Sequence, residues 1–223
     1  MCEIVERDDG FFSAYPNCRT YFSEYKDWSP VEQKAIDLVK GRVLDVGCGA
    51  GRHSLYLQQK GYDVVGIDTS PSALKVCKLR GLKKARLMSV ENLKFKPGTF
   101  DTVIMLGGNF GLLGSPKKAK RILKKLHRMT SKHAAIIGET RDPYKTDNPA
   151  HLEYHKENRK KGRLCGQTKI RIRFEKTVGK WFDWMMVSKE EMNALLEGTG
   201  WETSQYIDSE NSRYIAVIQK KPD

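Results

Sequence analysis

VLDVGCGAGRHSLYL, residues 43–57, reads as a short apolar strand that runs into a glycine-rich turn and straight on into a helix. Glycines at 47, 49 and 51 let the backbone turn sharply and let a ligand come close to the main chain. In a dinucleotide site a pyrophosphate rests on the N-terminus of such a helix, and the fingerprint is G-x-G-x-x-G. Here the third glycine of that pattern would fall on Arg52, and the spacing is G-x-G-x-G instead. Asp45, just before the turn, would put a carboxylate where a pyrophosphate belongs. Both departures count against a nicotinamide dinucleotide and favour a ligand with an ammonium group.

Outward from this stretch the pattern repeats. The helix is stopped by Gly61, and DVVGID (63–68) forms a second strand that ends in Asp68, 17 residues beyond Gly51. A carboxylate at that strand end can accept hydrogen bonds from both hydroxyls of a ribose. Ser70-Pro71 opens the next helix and Gly81 closes it. ARLMSV (85–90), FDTVIML (100–106) and HAAIIGET (133–140) supply three more strands. Between the last two, residues 115–133 place Ala119, Ile122, Leu123, Leu126 and Met129 at helical spacing among lysines and arginines. Strands alternating with helices in this way predict an α/β protein with a parallel sheet. A helix from Ser188 and two strands, 202–208 and 213–219, close the pattern as an antiparallel hairpin.

Two regions stand outside that rhythm. Residues 1–40 are rich in aromatics and predict a helical lead-in to a domain spanning 41–223. Residues 141–187 predict an insertion after the fifth strand, with a short helix near 149–161 and a half-exposed hairpin over TKIRIRFEKTVGKWFDWMMV.

The chain has 223 residues, 39% hydrophobic and 30% charged, which suits a globular domain with its own core. No apolar run nears the roughly 20 residues of a membrane helix. No signal peptide is expected at the N-terminus. The five cysteines, at 2, 18, 48, 77 and 165, form no CxxC pair, so reduced thiols in a cytoplasm are expected. The net charge of +13 admits a nucleic-acid partner, but a solvated basic surface is the reading preferred, because charge alone speaks to solubility and non-specific binding. HLEYH (151–155) sets two histidines one helical turn apart without the acid of HExxH, and no metal site is expected.

Taken together, VLDVGCGAG (43–51) and GIDTSPSAL (66–74) resemble the first and second motifs of the class I S-adenosylmethionine-dependent methyltransferases. The resemblance covers about 40 to 220. It implies a Rossmann-like, seven-stranded, mostly parallel sheet with helices on both faces, the antiparallel C-terminal hairpin, and a small lid formed by 141–187. It implies S-adenosylmethionine as cofactor. Asp45, Gly47, Cys48, Gly49 and Gly51 would surround the methionine moiety, Asp68 would bind the ribose and Thr69 would flank the adenine. Many relatives place an Asp at the end of the third strand; this chain has Ser89 in MSVENLKF, which leaves the Val90 backbone or Glu91 for the adenine. FDTVIMLGGNFGLL (100–113) corresponds to the fourth motif, so Leu106 and Gly107 would line the cofactor, with Asn109 and Phe110 near the methyl group.

The family's acceptor side implies Glu139, Arg141 and Tyr144. Trp181 and Trp184 would form an aromatic wall or simply pack the hairpin, and Tyr21 and Tyr25 would close over the cofactor or pack the lead-in. No catalytic residue is singled out, because a neutral amine acceptor needs no general base. The expected function is methyl transfer to a small molecule. Transfer to RNA and non-catalytic cofactor binding are the alternatives, and the oligomeric state is open.

Overall fold

The computed structural model describes residues 3–15 and 18–222; Cys2 lies outside the described residues. In chain order the elements begin with β1 (Glu3–Arg7), β2 (Phe12–Tyr15), α1 (Pro30–Ile36), β3 (Val43–Val46), α2 (Arg52–Gln59) and β4 (Val64–Asp68). They continue with α3 (Pro71–Leu79), β5 (Ala85–Leu87), β6 (Phe100–Met105), α4 (Pro116–Met129), β7 (Thr130–Arg141) and α5 (Pro149–Lys160). The last are β8 (Gln167–Phe174), β9 (Thr177–Val178), β10 (Phe182–Met185), α6 (Lys189–Leu196), β11 (Trp201–Asp208) and β12 (Arg213–Lys220).

The large sheet has seven strands in the order β11-β12-β7-β6-β3-β4-β5. β3 to β7 pair in parallel, and β12 is antiparallel to both β7 and β11. β3 lies between β4 and β6, so the strand order reverses there. Such a reversal opens a crevice at the carboxyl ends of the strands, the usual ligand position in open α/β sheets. The glycine turn sits in that crevice. All four residues of β3 are buried, as a strand covered on both faces requires. On one face Ala35 and Ile36 of α1 and Leu57 of α2 pack with Val43, Ile104 and Ile137. On the other, Ala119, Ile122, Leu123, Leu126 and Met129 of α4 and Met192, Leu195 and Leu196 of α6 form the main core.

Boundaries shift where side-chain hydrogen bonds intervene. α4 ends at Met129 rather than 133: Thr130 is already extended, and its hydroxyl donates to the Leu126 carbonyl at 2.8 Å. β5 ends at Leu87, because the Ser89 hydroxyl accepts the Glu91 N–H and turns Val90–Asn92 into a 3-10 turn.

The helical lead-in is the main correction. Residues 3–15 form an antiparallel hairpin, and only two 3-10 turns and the seven-residue α1 are helical. Ile4 and Val5 favour a strand, Gly10 takes the left-handed φ of +88°, and Arg7 closes the turn on Asp9 at 2.7 and 2.8 Å. β1 then pairs with β8 of the insertion, giving a second sheet ordered β10-β8-β1-β2 with β9 beside β8. The helix and hairpin expected in 141–187 are both present, but the hairpin takes up the N-terminal strands. Among the described residues no helix is long and apolar enough to cross a membrane.

Candidate functional site

Gly47, Gly49 and Gly51 hold φ of +73°, +55° and +82°, and Gly51 caps the N-terminus of α2. These left-handed values are strained for any residue with a Cβ. The loop they form is fastened from four directions. Asp68 Oδ2 accepts the Gly49 N–H at 2.9 Å, and its Oδ1 accepts the Ser70 N–H at 2.8 Å. The Cys77 thiol donates to the Gly49 carbonyl at 3.0 Å. From the β6 side, Asn109 Nδ2 donates to the Val46 and Gly47 carbonyls at 3.0 and 2.9 Å. Behind the loop, buried Asp45 accepts the Ser54 hydroxyl at 2.6 Å. Burial pushes the Asp45 carboxyl up, against the pull of His53 and of that hydrogen bond.

Each Asp68 oxygen still has an acceptor position free, since a carboxylate offers about four lone-pair sites. Space is left beside them. A Cβ on Gly107 would touch nothing within 4 Å, and one on Gly49 would meet only the Tyr21 ring, at 3.8 Å. Tyr21 stands over the loop because its hydroxyl donates to Glu3 of β1 at 2.9 Å. Thr69 is exposed beside Asp68.

Other expected residues lie elsewhere. Phe110 is fully buried against Gly138, and Val90 and Leu106 are also core, so only their backbones can face a ligand. Asn109 is committed to the loop carbonyls. Cys48 turns its thiol toward Gly66, and the hydrogen bond with Cys77 together with burial pushes that thiol up. Glu91 is ion-paired with Arg121 and Lys118, at 3.2 and 3.5 Å. Trp184 packs on Gly108 and Gly111, Trp181 lies beneath Arg171, and Tyr144 donates to Glu191 at 2.6 Å. Tyr25 stacks on Tyr56, ring centroids 4.7 Å apart.

A cleft of about 840 Å³ opens next to the loop. Lead-in residues between Arg19 and Glu32 roof it, and Glu139, Arg141 and Arg213 at the ends of β7 and β12 form its floor. Trp181, Trp184 and Tyr144 do not line it. Glu139 joins cleft to crevice: its Oε2 accepts the Gly107 N–H at 2.6 Å. Glu32 fastens the roof to the start of α2, accepting from Arg52 and, at 2.6 Å, from His53. Burial raises the Glu32 carboxyl, but His53 and Arg52 outweigh it and hold the group below its ordinary value.

Residues 43–133 match the family described as Methyltransferase domain. In a solved structure, the S-adenosylmethionine-dependent methyltransferase from Bacteroides fragilis with S-adenosyl-L-homocysteine, the fold agrees with a TM-score of 0.84 at 25% identity. It covers 100% of this chain and 89% of that one. The chain carries a class I methyltransferase domain. Among curated relatives, the ubiquinone biosynthesis O-methyltransferase of Xanthomonas euvesicatoria is 42% identical over 74 residues, 30% of this chain and 31% of its own. The 18S rRNA (guanine-N(7))-methyltransferase of Bos taurus is 36% identical over 97 residues, 43% and 34% of the two chains. The chain thus spans about a third of the length of these curated relatives.

In this methyltransferase domain the sequence pattern did not single out Glu32, Arg52, His53 or Arg213. A signal existed for the first three. Cationic side chains in the first turn of a helix oppose its dipole, so Arg52 and His53 directly after Gly51 call for an acidic partner. Arg213 had none, since only β12 pairing against β7 brings it to Glu139, at 3.4 Å. Among the described residues no group of histidines, cysteines and acids is placed to hold a metal. His151 instead bonds Thr146 at 3.0 Å.

Proposed function

We propose that this chain transfers the methyl group of S-adenosylmethionine to a small-molecule acceptor. The observation that carries the proposal is the doubly anchored Asp68 carboxylate, facing open space beside a loop of left-handed glycines. The cofactor supplies an activated methyl on a sulfonium. Asp45, Gly47, Gly49 and Gly51 would hold its methionine part, and Asp68 its ribose. Thr69 and the Val90 backbone would border the adenine, with Gly107 beside the sulfonium. Tyr21 would cover the loop and exclude water from it.

The acceptor would lie in the cleft over Glu139, held close to the methyl by walls that the lead-in supplies. A volume of about 840 Å³ falls in the range of small-molecule sites. Residues 1–40 and 141–187, joined through β1 and β8, would act as one acceptor-side unit on the 41–223 domain. Free thiols at Cys18, Cys48, Cys77 and Cys165 suit a reducing cytoplasm.

Calorimetry with S-adenosylhomocysteine tests the cofactor half; absence of saturable binding by folded protein removes it. A screen of amines, phenols, carboxylates and RNA, read by S-adenosylhomocysteine release, tests the transfer. Methylation of RNA is the second reading, prompted by the +13 charge and the rRNA-methylating relative. Against it, the lysine-rich α4 packs on the sheet face opposite α1, away from the roof of the cleft.

A further inference from the structure

The floor of the cleft holds two arginines side by side. Arg141 of β7 and Arg213 of β12 are direct partners in the antiparallel register, and both line the cleft. Like charges placed directly opposite each other across two strands destabilise the pairing. Nothing nearby neutralises them fully. Glu139 meets Arg213 only at 3.4 Å through Oε1, while its Oε2 is taken by the Gly107 N–H at 2.6 Å. Glu32, a part-buried acid of the cleft, is committed to Arg52 and His53. The Arg141 side chain makes no hydrogen bond or ion pair among the described residues. It is half-buried, and burial and the charge of Arg213 both act against its protonated form. An arginine stays charged regardless, so the fold carries at the bottom of a cleft a cation that Glu139 offsets only through space, without a hydrogen bond.

We infer that the acceptor bears an anionic group, a carboxylate or a phosphate monoester, and that Arg141 with Arg213 grips it. This rests on the methyl-transfer reading, which makes the cleft the acceptor site. Guanidinium forks match both anions in geometry and charge, and an anion between the two would relieve their repulsion as it binds. Glu139, two residues from Arg141, also reaches Gly107, so an acceptor anchored at the arginines extends toward the crevice of the glycine loop. The arginine pair therefore sets both the acceptor class and its orientation, without touching the reacting atoms.

The test is calorimetry on the full chain saturated with S-adenosylhomocysteine, titrated in parallel with benzoate, phenyl phosphate and neutral benzamide. At least one anion should bind tenfold or more tighter than benzamide, roughly the worth of one charge-assisted hydrogen bond. Which anion wins identifies the source of the charge. Arg141→Gln should abolish the preference and Arg141→Lys should restore part of it. Because the Arg141 side chain has no hydrogen bond or ion pair to lose and faces the charge of Arg213, the thermal midpoints of these variants should equal or exceed that of the unsubstituted chain. Equal binding of benzamide and both anions overturns the inference, as does a preference that survives Arg141→Gln. Binding confined to a single-stranded RNA oligomer overturns it too. Failure of S-adenosylhomocysteine to bind strikes the methyl-transfer reading instead, and the same anion titrations on the free chain then decide whether the arginine pair grips an anion.

Discussion

In the large sheet, β3 to β7 pair in parallel with strands one crossover away, and β3 is buried at every position. In the small sheet, Glu6 of β1 meets Arg171 of β8 across 165 residues of chain, and β8 is nowhere fully buried. The first is held by apolar surface removed from water on two faces. The second is held by ladder hydrogen bonds and by Glu6 accepting from both Arg171 and Arg173. A crevice for one fixed cofactor gains from a backbone frozen in advance. Exposed strands let side chains change without loss of the core.

The largest expected effect lies at the joint between the two. Glu32→Ala leaves Arg52 and His53 without their acid and should cost about 3 kcal/mol of stability in urea unfolding. A loss below about 0.5 kcal/mol would mean that the lead-in is not anchored there. Next comes the frozen loop itself. Asp68→Ala should weaken S-adenosylhomocysteine binding by about 2 kcal/mol, roughly thirtyfold, in calorimetry. Unchanged affinity would mean that the loop does not need its clamp.

Gly111→Ala probes the seam between the sheets, where a Cβ would run into the Trp184 ring. Overpacking there should cost about 1–2 kcal/mol, seen as a lowered thermal midpoint. Smallest is an acid effect confined to the small sheet. Hydrogen bonds from Arg171 and Arg173 hold the Glu6 carboxyl near about 2, below its ordinary 4.5. Above pH 4.5 its contribution is complete, and it fades as pH falls from there toward about 2. Trp181 fluorescence, reporting the ring beneath Arg171, should change over that window, and Glu6→Gln should remove the change. A transition shared equally by β3 to β7 would erase the distinction.

How much was legible follows the same line. The stretch 43–57, with Asp68, foretold the strand, turn and helix, because each glycine and cap acts on its immediate neighbours. The fifth strand and α4 came from apolar spacing alone. The N-terminal hairpin did not, since its aromatics suggested a helix and its partner strand lies in the insertion. Phe110 was expected near the methyl group for a related reason: its burial depends on a tertiary neighbour, Gly138, which no local pattern names. Arg141 was named from the resemblance as an acceptor-side residue, and its pairing with Arg213 needed the β7–β12 register.

The pairing of β1 with β8 also dictates an order of events on the ribosome. The hairpin Glu3–Tyr15 emerges well before β8, and one edge of β1 must wait until some 165 further residues have been made. At about 5–20 residues per second that is on the order of ten to thirty seconds. Through that interval the nascent chain shows an open strand edge to its surroundings. The charged residues of β1, Glu3, Glu6 and Arg7, keep that edge wet until its partner arrives.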